Sequence, residues 1–287
     1  MPVAHPNRAW LNDAVRSVLG QREVDLELVI VDDGSDPPVR ELLESADDPR
    51  VTIVHTESRG VANARNAGLA AARGLYVRFA DADDVLEPDS TALLLRFAGD
   101  ESIGYGATLV CDEVLQPISV RESSLQGRVE EACLLGDFDV RLPALLFPRA
   151  VVDAVGGWDP DFPVCSDWDF VLRALEHAPA SGDSTPVLRY RRHSDSLTRT
   201  ATLEQAEGAW TRVVARYFAR HPERRGTELE RRARTMLALH WALTYAYRGD
   251  GPAWRSRLRA GFRSDPRTAL RELPRLLATA LRAAGRP

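Results

Sequence analysis

The chain has 287 residues, 44% of them hydrophobic, which is enough for one sizeable α/β core and a smaller appendage. Its formal charge of −5 and pI near 5.8 provide no net field that would gather nucleic acid, so a general nucleic-acid binder is disfavoured. Cys111, Cys133 and Cys165 stand far apart and form no Cys-x-x-Cys pair, no apolar run approaches the roughly 18 residues of a membrane span, and the N-terminus lacks the pattern of a signal peptide; a reducing cytoplasm fits.

In chain order, Leu26 to Val31 reads as a buried strand running into a polar turn at Asp32-Asp33-Gly34-Ser35-Asp36-Pro37-Pro38. Helical spacing over Val39 to Ala46 precedes a β-branched run, Val51 to His55, and an Ala-rich helix is expected over Val61 to Arg73. A third strand, Leu75 to Ala80, delivers the chain to Asp81-Ala82-Asp83-Asp84. Strands alternating with helices imply parallel pairing with helices on the faces, and ligands of such sheets bind beyond the strand C-termini, where both acidic clusters fall.

Further along, a helix to about Phe97 and a strand over Ala107 to Cys111 lead into a stretch with little regular signal as far as Phe138. Pro143 to Pro148 is strand-like, Arg149 to Val155 helical, Gly156-Gly157-Trp158-Asp159 a turn, Asp167 to His177 a helix, and Val187 to Arg192 a strand that leaves into His193. After about Thr200 the strand signals stop. Four helical segments follow, broken near Pro222, Gly249-Asp250-Gly251 and Asp265-Pro266.

Three carboxylates within Asp81 to Asp84 repel one another unless a cation offsets them, and Mg²⁺ or Mn²⁺ is commonly held by one or two carboxylates together with substrate phosphates. An acidic turn that only caps a helix is the competing reading of those residues. Three ordered segments decide between them: Leu28-Val-Ile-Val-Asp-Asp-Gly-Ser35, Arg59-Gly-Val-Ala-Asn-Ala-Arg-Asn-Ala-Gly68 and Phe79-Ala-Asp-Ala-Asp-Asp84. With Val155-Gly-Gly-Trp-Asp159, Ser166-Asp-Trp-Asp-Phe170 and Tyr190-Arg-Arg-His193, the chain resembles family 2 glycosyltransferases over roughly residues 1 to 200.

That resemblance implies a GT-A fold: an α/β, Rossmann-like, mostly parallel sheet with flanking helices over residues 1–200, to which a helical module adds residues 201–287. It also implies an inverting, metal-dependent transfer of a sugar from a nucleotide-sugar donor to an acceptor hydroxyl. UDP-linked donors are the default, with dTDP and GDP donors open; the acceptor is a glycan, a lipid-linked glycan or a small molecule. Carried over by position, Asp33 and Asp32 would contact the base or ribose, Arg65 would lie near the nucleotide or pair with an acidic neighbour, and Asp81 would meet the ribose or a metal-bound water. Asp83 would ligate Mn²⁺ or Mg²⁺, His193 would add a ligand or phosphate contact, and Asp167 would be the catalytic base. Ser166 stands where many relatives carry Glu, so the acceptor pocket departs from the family pattern.

The first strand of such a domain is missing from the sequence pattern, since only Met1 precedes Pro2-Val3-Ala4-His5-Pro6; a start about 5–6 residues upstream is expected. At the other end, Leu270, Leu273, Leu277 and Leu281 alternate with Arg267, Arg271, Arg275 and Arg282. Such a basic amphipathic pattern suits peripheral contact with an anionic inner membrane face, although packing against protein is the preferred reading. Trp210, Tyr217, Phe218, Trp241, Tyr245, Tyr247 and Trp254 are expected to be core. A degenerate sugar-nucleotide-binding module is the main alternative. A haloacid-dehalogenase-like phosphatase is disfavoured because the chain has no Lys, and a dinucleotide oxidoreductase because no Gly-x-Gly-x-x-Gly follows a strand.

Overall fold

The computed structural model describes residues 1–162, 164–194 and 201–284, with side chains through 277 in the last helix. Two compact units emerge, one of Met1–Glu130 with Phe138–Thr200 and the other of Glu131–Asp137 with Ala201–Pro287.

In the first unit, β1 (Pro2–Val3), β2 (Leu28–Asp33) and β3 (Val51–Thr56) form a parallel sheet in that order. β2 is buried along its whole length, Leu28–Val31 as an apolar run and Asp32 and Asp33 through hydrogen bonds to the adjoining loops. A strand expected to be missing is therefore present over two residues, with Pro2 opposite Val31 and Val3 opposite Asp32; proline is tolerated there because a first strand residue need not donate to the ladder. Helices α1 (Arg8–Leu19) and α3 (Val61–Ala71) accompany this sheet, Leu11 and Val15 of α1 packing with Val3 and Ile30.

Between them, α2 (Val39–Leu42) is a single turn, shorter than the helix expected to Ala46. Its end is fixed by the buried amide of Asn12, which donates to Leu42 O at 2.9 Å and accepts from Glu44 N at 2.9 Å, satisfying groups a longer helix would have paired itself.

The second sheet contains β4 (Tyr76–Val77), β5 (Val85–Leu86), β6 (Ile103–Cys111), β7 (Pro117–Arg121), β8 (Leu145–Pro148) and β9 (Ala180–Arg191). Its order is β4-β8-β6-β9-β5, with β7 beside β6. The parallel pairing expected from strand–helix alternation holds for the first sheet and for β6 with β9, while the remaining four pairings here are antiparallel. A tight turn allows one of them: Asp112 Oδ1 accepts from Val114 N and Gln116 N, folding β6 back into β7 in the stretch that carried little sequence signal.

β4 is far shorter than the expected strand to Ala80 because the side chain of Arg78 takes over the joining. Its guanidinium donates to Pro143 O, Val187 O, Ser90 Oγ and Thr91 Oγ1 at 2.8–3.0 Å, and enclosure away from water pulls its pKa down to about 9. Helices α4 (Ser90–Ala98), α6 (Arg149–Val155) and α7 (Ser166–His177) lie close to their expected bounds, and α5 (Glu130–Leu135) is a short helix where none was expected.

The second unit holds α8 (Leu203–Arg220), α9 (Glu228–Tyr247), α10 (Gly251–Ser264) and α11 (Pro266–Ala284). Their starts follow the local chemistry: Thr202 and Gln205 form a capping box, Asp250 caps α10 through Ala253 N, and Pro266 opens α11. Tyr217, Phe218, Trp241 and Tyr245 are buried as expected, but Tyr247 is 78% exposed, because α9 ends there and its last turn faces solvent. Among the described residues no helix is long and apolar enough to cross a membrane.

Candidate active site

The carboxyl end of β2 carries Asp32 and Asp33, 2% and 4% exposed. Asp32 accepts from Ser35 N at 2.9 Å and Val39 N at 3.0 Å, and His55 Nδ1 lies 3.2 Å away. Burial penalises its charge, yet those amides outweigh it and hold the carboxyl below its usual range. Asp33 accepts from Thr56 Oγ1 (2.7 Å), Arg59 N (2.9 Å) and Gly60 N (2.8 Å). The pair thus ties the loop after β2 to the loop after β3. Gly34 makes the close approach feasible: its φ is +80°, and a Cβ there would stand 3.0 Å from the Ser58 Cβ.

Downstream of β4, the acidic turn is held from three directions. Asp81 pairs with Arg65 of α3 at 3.1 Å, and the enclosed guanidinium of Arg65 lies 4.4 Å above the Trp158 ring. Asp83 Oδ2 is 2.8 Å from His193 Nε2, and the His193 ring packs 4.7 Å from Trp10 of α1. Asp84 is 3% exposed and accepts from Arg191 N at 2.9 Å. The buried Arg191 side chain donates to Asp83 O at 2.9 Å and reaches Asp13 at 3.2 Å.

This crowding has an electrostatic cost. Burial, and then the charge of Asp81, push the Asp83 carboxyl up, with His193 offsetting part of the effect. Burial, followed by Asp83 and Asp81, pushes Asp84 well above the usual carboxylate range. Among the described residues, the buried atoms Asp84 Oδ2, Arg65 Nε and Trp158 Nε1 find no hydrogen-bond partner. Buried polar atoms ordinarily find partners, so this arrangement suits a polar ligand that accepts from the two N–H groups and brings a donor or a cation toward Asp84. Among the described residues no group of three His, Cys, Asp or Glu side chains could hold a metal by itself. A carboxylate and an imidazole, Asp83 and His193, are donors that suit Mn²⁺ or Mg²⁺ when a substrate's phosphates complete the shell.

Asn66, the residue after Arg65, clamps the glycine turn that follows α6. Its Oδ1 accepts from Trp158 N at 2.7 Å and its Nδ2 donates to Trp158 O at 2.9 Å. Gly157, at φ +94°, leaves room for this, since a Cβ there would lie 2.8 Å from Asn66 Oδ1. Trp158 then stacks on Phe170 of α7 at 4.3 Å and 6°, and Phe79, two residues before Asp81, meets both rings edge-on at 5.0 and 5.3 Å. The acidic turn and α7 are joined through these rings.

Asp167 lies half-buried in the first turn of α7, three residues before Phe170, and its Oδ1 accepts from Trp168 N at 2.9 Å. The preceding Cys165 has φ +60°, uncommon for a residue with a side chain. Asp169, by contrast, is buried against Arg173 at 2.8 Å, and Arg173 also donates to Val155 O and Gly157 O. Neighbouring acidic residues therefore divide between an accessible carboxylate and a structural ion pair.

Arg65, Asp81, Asp83 and His193 are thus brought into one linked cluster, Asp167 is tied to it through the ring stack, and Asp32 and Asp33 are committed to the adjoining loops. Sequence reasoning missed Asn66 and Arg191, which sit inside quoted segments without an evident role, and Trp10 and Asp13, whose spacing on α1 carries no chemical signal.

Comparison with known proteins was made against this geometry. Residues 3–124 match the model of glycosyl transferase family 2. The chain is 31% identical over 230 residues to the O-antigen biosynthesis protein RfbC of Myxococcus xanthus, covering 77% of this chain and 18% of that protein. It spans about a fifth of the length of this and another of the curated relatives it matches, at 18% and 20%. S. aureus TarS 1–349 in complex with UDP-GlcNAc superimposes with a TM-score of 0.60 at 15% identity, covering 93% of this chain and 81% of that one. A mannosyltransferase from Pyrobaculum calidifontis, in complex with GDP-Man and Mn²⁺, superimposes with a TM-score of 0.53 at 19% identity, covering 98% and 79%. Both likenesses concern the fold, which is GT-A.

Proposed function

We propose that this chain, whose residues 3–124 match the model of glycosyl transferase family 2, transfers a sugar from a nucleotide-sugar donor to an acceptor hydroxyl in the assembly of a polysaccharide or related glycan, in a reducing cytoplasm. The observation that carries the reading is the acidic turn, where two carboxyls are pushed above their usual range beside three unpaired buried polar atoms. UDP is the default nucleotide. The UDP-GlcNAc of the TarS complex and the GDP-Man and Mn²⁺ of the mannosyltransferase complex support a nucleotide sugar and a divalent ion without choosing among donors.

Asp83 and His193 would hold Mn²⁺ or Mg²⁺, which when bound supplies positive charge to the donor's diphosphate. The loops fixed by Asp32 and Asp33 border the nucleoside, and Asp81, oriented by Arg65, faces the ribose. Asp167 accepts the acceptor hydroxyl's proton at Oδ2, its Oδ1 being engaged by Trp168 N. The acceptor oxygen then bonds to the anomeric carbon as the carbon–phosphate oxygen bond breaks on the opposite face, and configuration inverts. Ser166 leaves Asp167 without a neighbouring carboxylate in sequence, so the pocket admits an acceptor that needs no second acid at that place.

Thermal-shift titration with UDP, dTDP and GDP and their sugars, with and without Mn²⁺, tests this. Ligand at a hundred times its dissociation constant adds about 2.7 kcal/mol to the native state. Metal-dependent stabilisation by one nucleotide supports the transfer reading and names the donor class. A folded sample that responds to none of them overturns it.

A further inference from the structure

The two parts of the chain carry opposite charge. Residues 1–200 contain 19 Arg against 34 Asp and Glu, and residues 201–287 contain 18 Arg against 8, giving formal charges of −15 and +10. A single family of contacts within the helical unit does not absorb this excess: Glu207 is engaged by Arg257, Glu230 by Arg234, and Glu272 by Arg271 and Arg275. Arg259, Arg263 and Arg267, at intervals of four, are exposed across the end of α10 and the start of α11.

On α11 the outward arc also carries apolar groups. Leu270 is 67% and Leu277 41% exposed, and Pro274 lies between them on the same side, while Ala269 and Glu272 face inward and are buried. Arg267, Arg271 and Arg275 flank that arc, the last two 61% exposed despite their ion pairs. Leucines standing in water beside arginines have no use for a soluble polyanion, whereas both groups are accommodated where headgroups meet acyl chains. The pattern continues in sequence at Leu281 and Arg282, whose side chains lie outside the described residues.

We propose that the helical unit docks on an anionic lipid surface through the outer face of α11 and the arginines at the end of α10. The proposal rests on charge and exposure and does not depend on the reaction assigned to the first unit. Flotation of the full chain with phosphatidylcholine vesicles, with and without phosphatidylglycerol, tests it. Binding is expected only with phosphatidylglycerol and should weaken with added salt.

Combining Arg259→Gln, Arg263→Gln and Arg267→Gln should lower partitioning roughly a hundredfold, from about fivefold per arginine. Leu270→Ser with Leu277→Ser should lower vesicle binding while leaving retention on inorganic polyphosphate unchanged. All five positions are exposed, and unchanged circular-dichroism melts establish that these variants fold. Absence of flotation with phosphatidylglycerol overturns the proposal, as does binding to vesicles that the leucine substitutions do not affect, which would assign the arginines to a soluble polyanion.

Discussion

Replacing Asn66 with Ala removes both hydrogen bonds that hold the Trp158 backbone, at 2.7 and 2.9 Å, and strands an N–H and a carbonyl on a residue only 3% exposed. Each lost bond costs about 1 kcal/mol net and each buried orphan about 1–3 kcal/mol, with overlap between the two, so a total of about 3 kcal/mol is expected. For a unit near 200 residues this lowers the melting temperature by roughly 6–12 °C. Urea and thermal melts followed by tryptophan fluorescence would measure it.

Asn66→Asp gives a second, sharper reading of the same contact. Its carboxylate still accepts from Trp158 N but repels Trp158 O, and protonation restores a donor toward that carbonyl. The Asp variant should therefore be less stable than wild type at neutral pH and recover toward it in acid. A change below about 0.5 kcal/mol for Asn66→Ala, or an Asp variant without pH dependence, would refute the clamp. The consequence would extend further, because Trp158 carries Arg65 on its ring and Arg65 holds Asp81.

Asp167→Asn should lower the transfer rate about 10²–10⁴-fold with little change in nucleotide-induced thermal shift, measured with the donor found by titration. His193→Ala should abolish the Mn²⁺-dependent part of that shift while leaving any metal-independent part, which separates ion binding from nucleoside binding. Glu207 offers a test in the helical unit: although burial opposes its charge, hydrogen bonds from Arg257 and Tyr245 hold its carboxyl below the usual range. Its contribution is present above the unfolded value of about 4.3 and is lost as pH falls through the depressed folded value, so Glu207→Gln should cost roughly 1–3 kcal/mol at pH 7 and progressively less in acid, as read by urea melts.

The legible parts of the fold were those with local causes. β2 announced itself by Leu28-Val-Ile-Val31, α6 and α7 by helical spacing on either side of a turn, and the last four helices by breakers at Pro222, Gly249-Asp250-Gly251 and Asp265-Pro266. Two-residue strands such as Tyr76–Val77 and Val85–Leu86 have no period to read, and their antiparallel partners lie 70 or more residues away. The candidate site divides in the same way. Asp81 and Asp83 stood out as a carboxylate cluster, whereas Arg191 and Trp10 gain a role only once β9 and α1 are beside that cluster.

Arg191 also bears on the order in which the molecule assembles. It meets the acidic turn across 107 and 108 positions of sequence, and Asp13 across 178. Contacts of such range close large loops and form late. During synthesis, Asp-Ala-Asp-Asp leaves the ribosome long before the strand that will support it, so a chain cut short of β9 would keep the Arg65 partner of Asp81 but leave Asp83 and Asp84 without His193 and Arg191. Ion binding at this turn would therefore report completion of the whole first unit, and a nucleotide-stabilised state would accumulate only after the end of β9 has been made and docked.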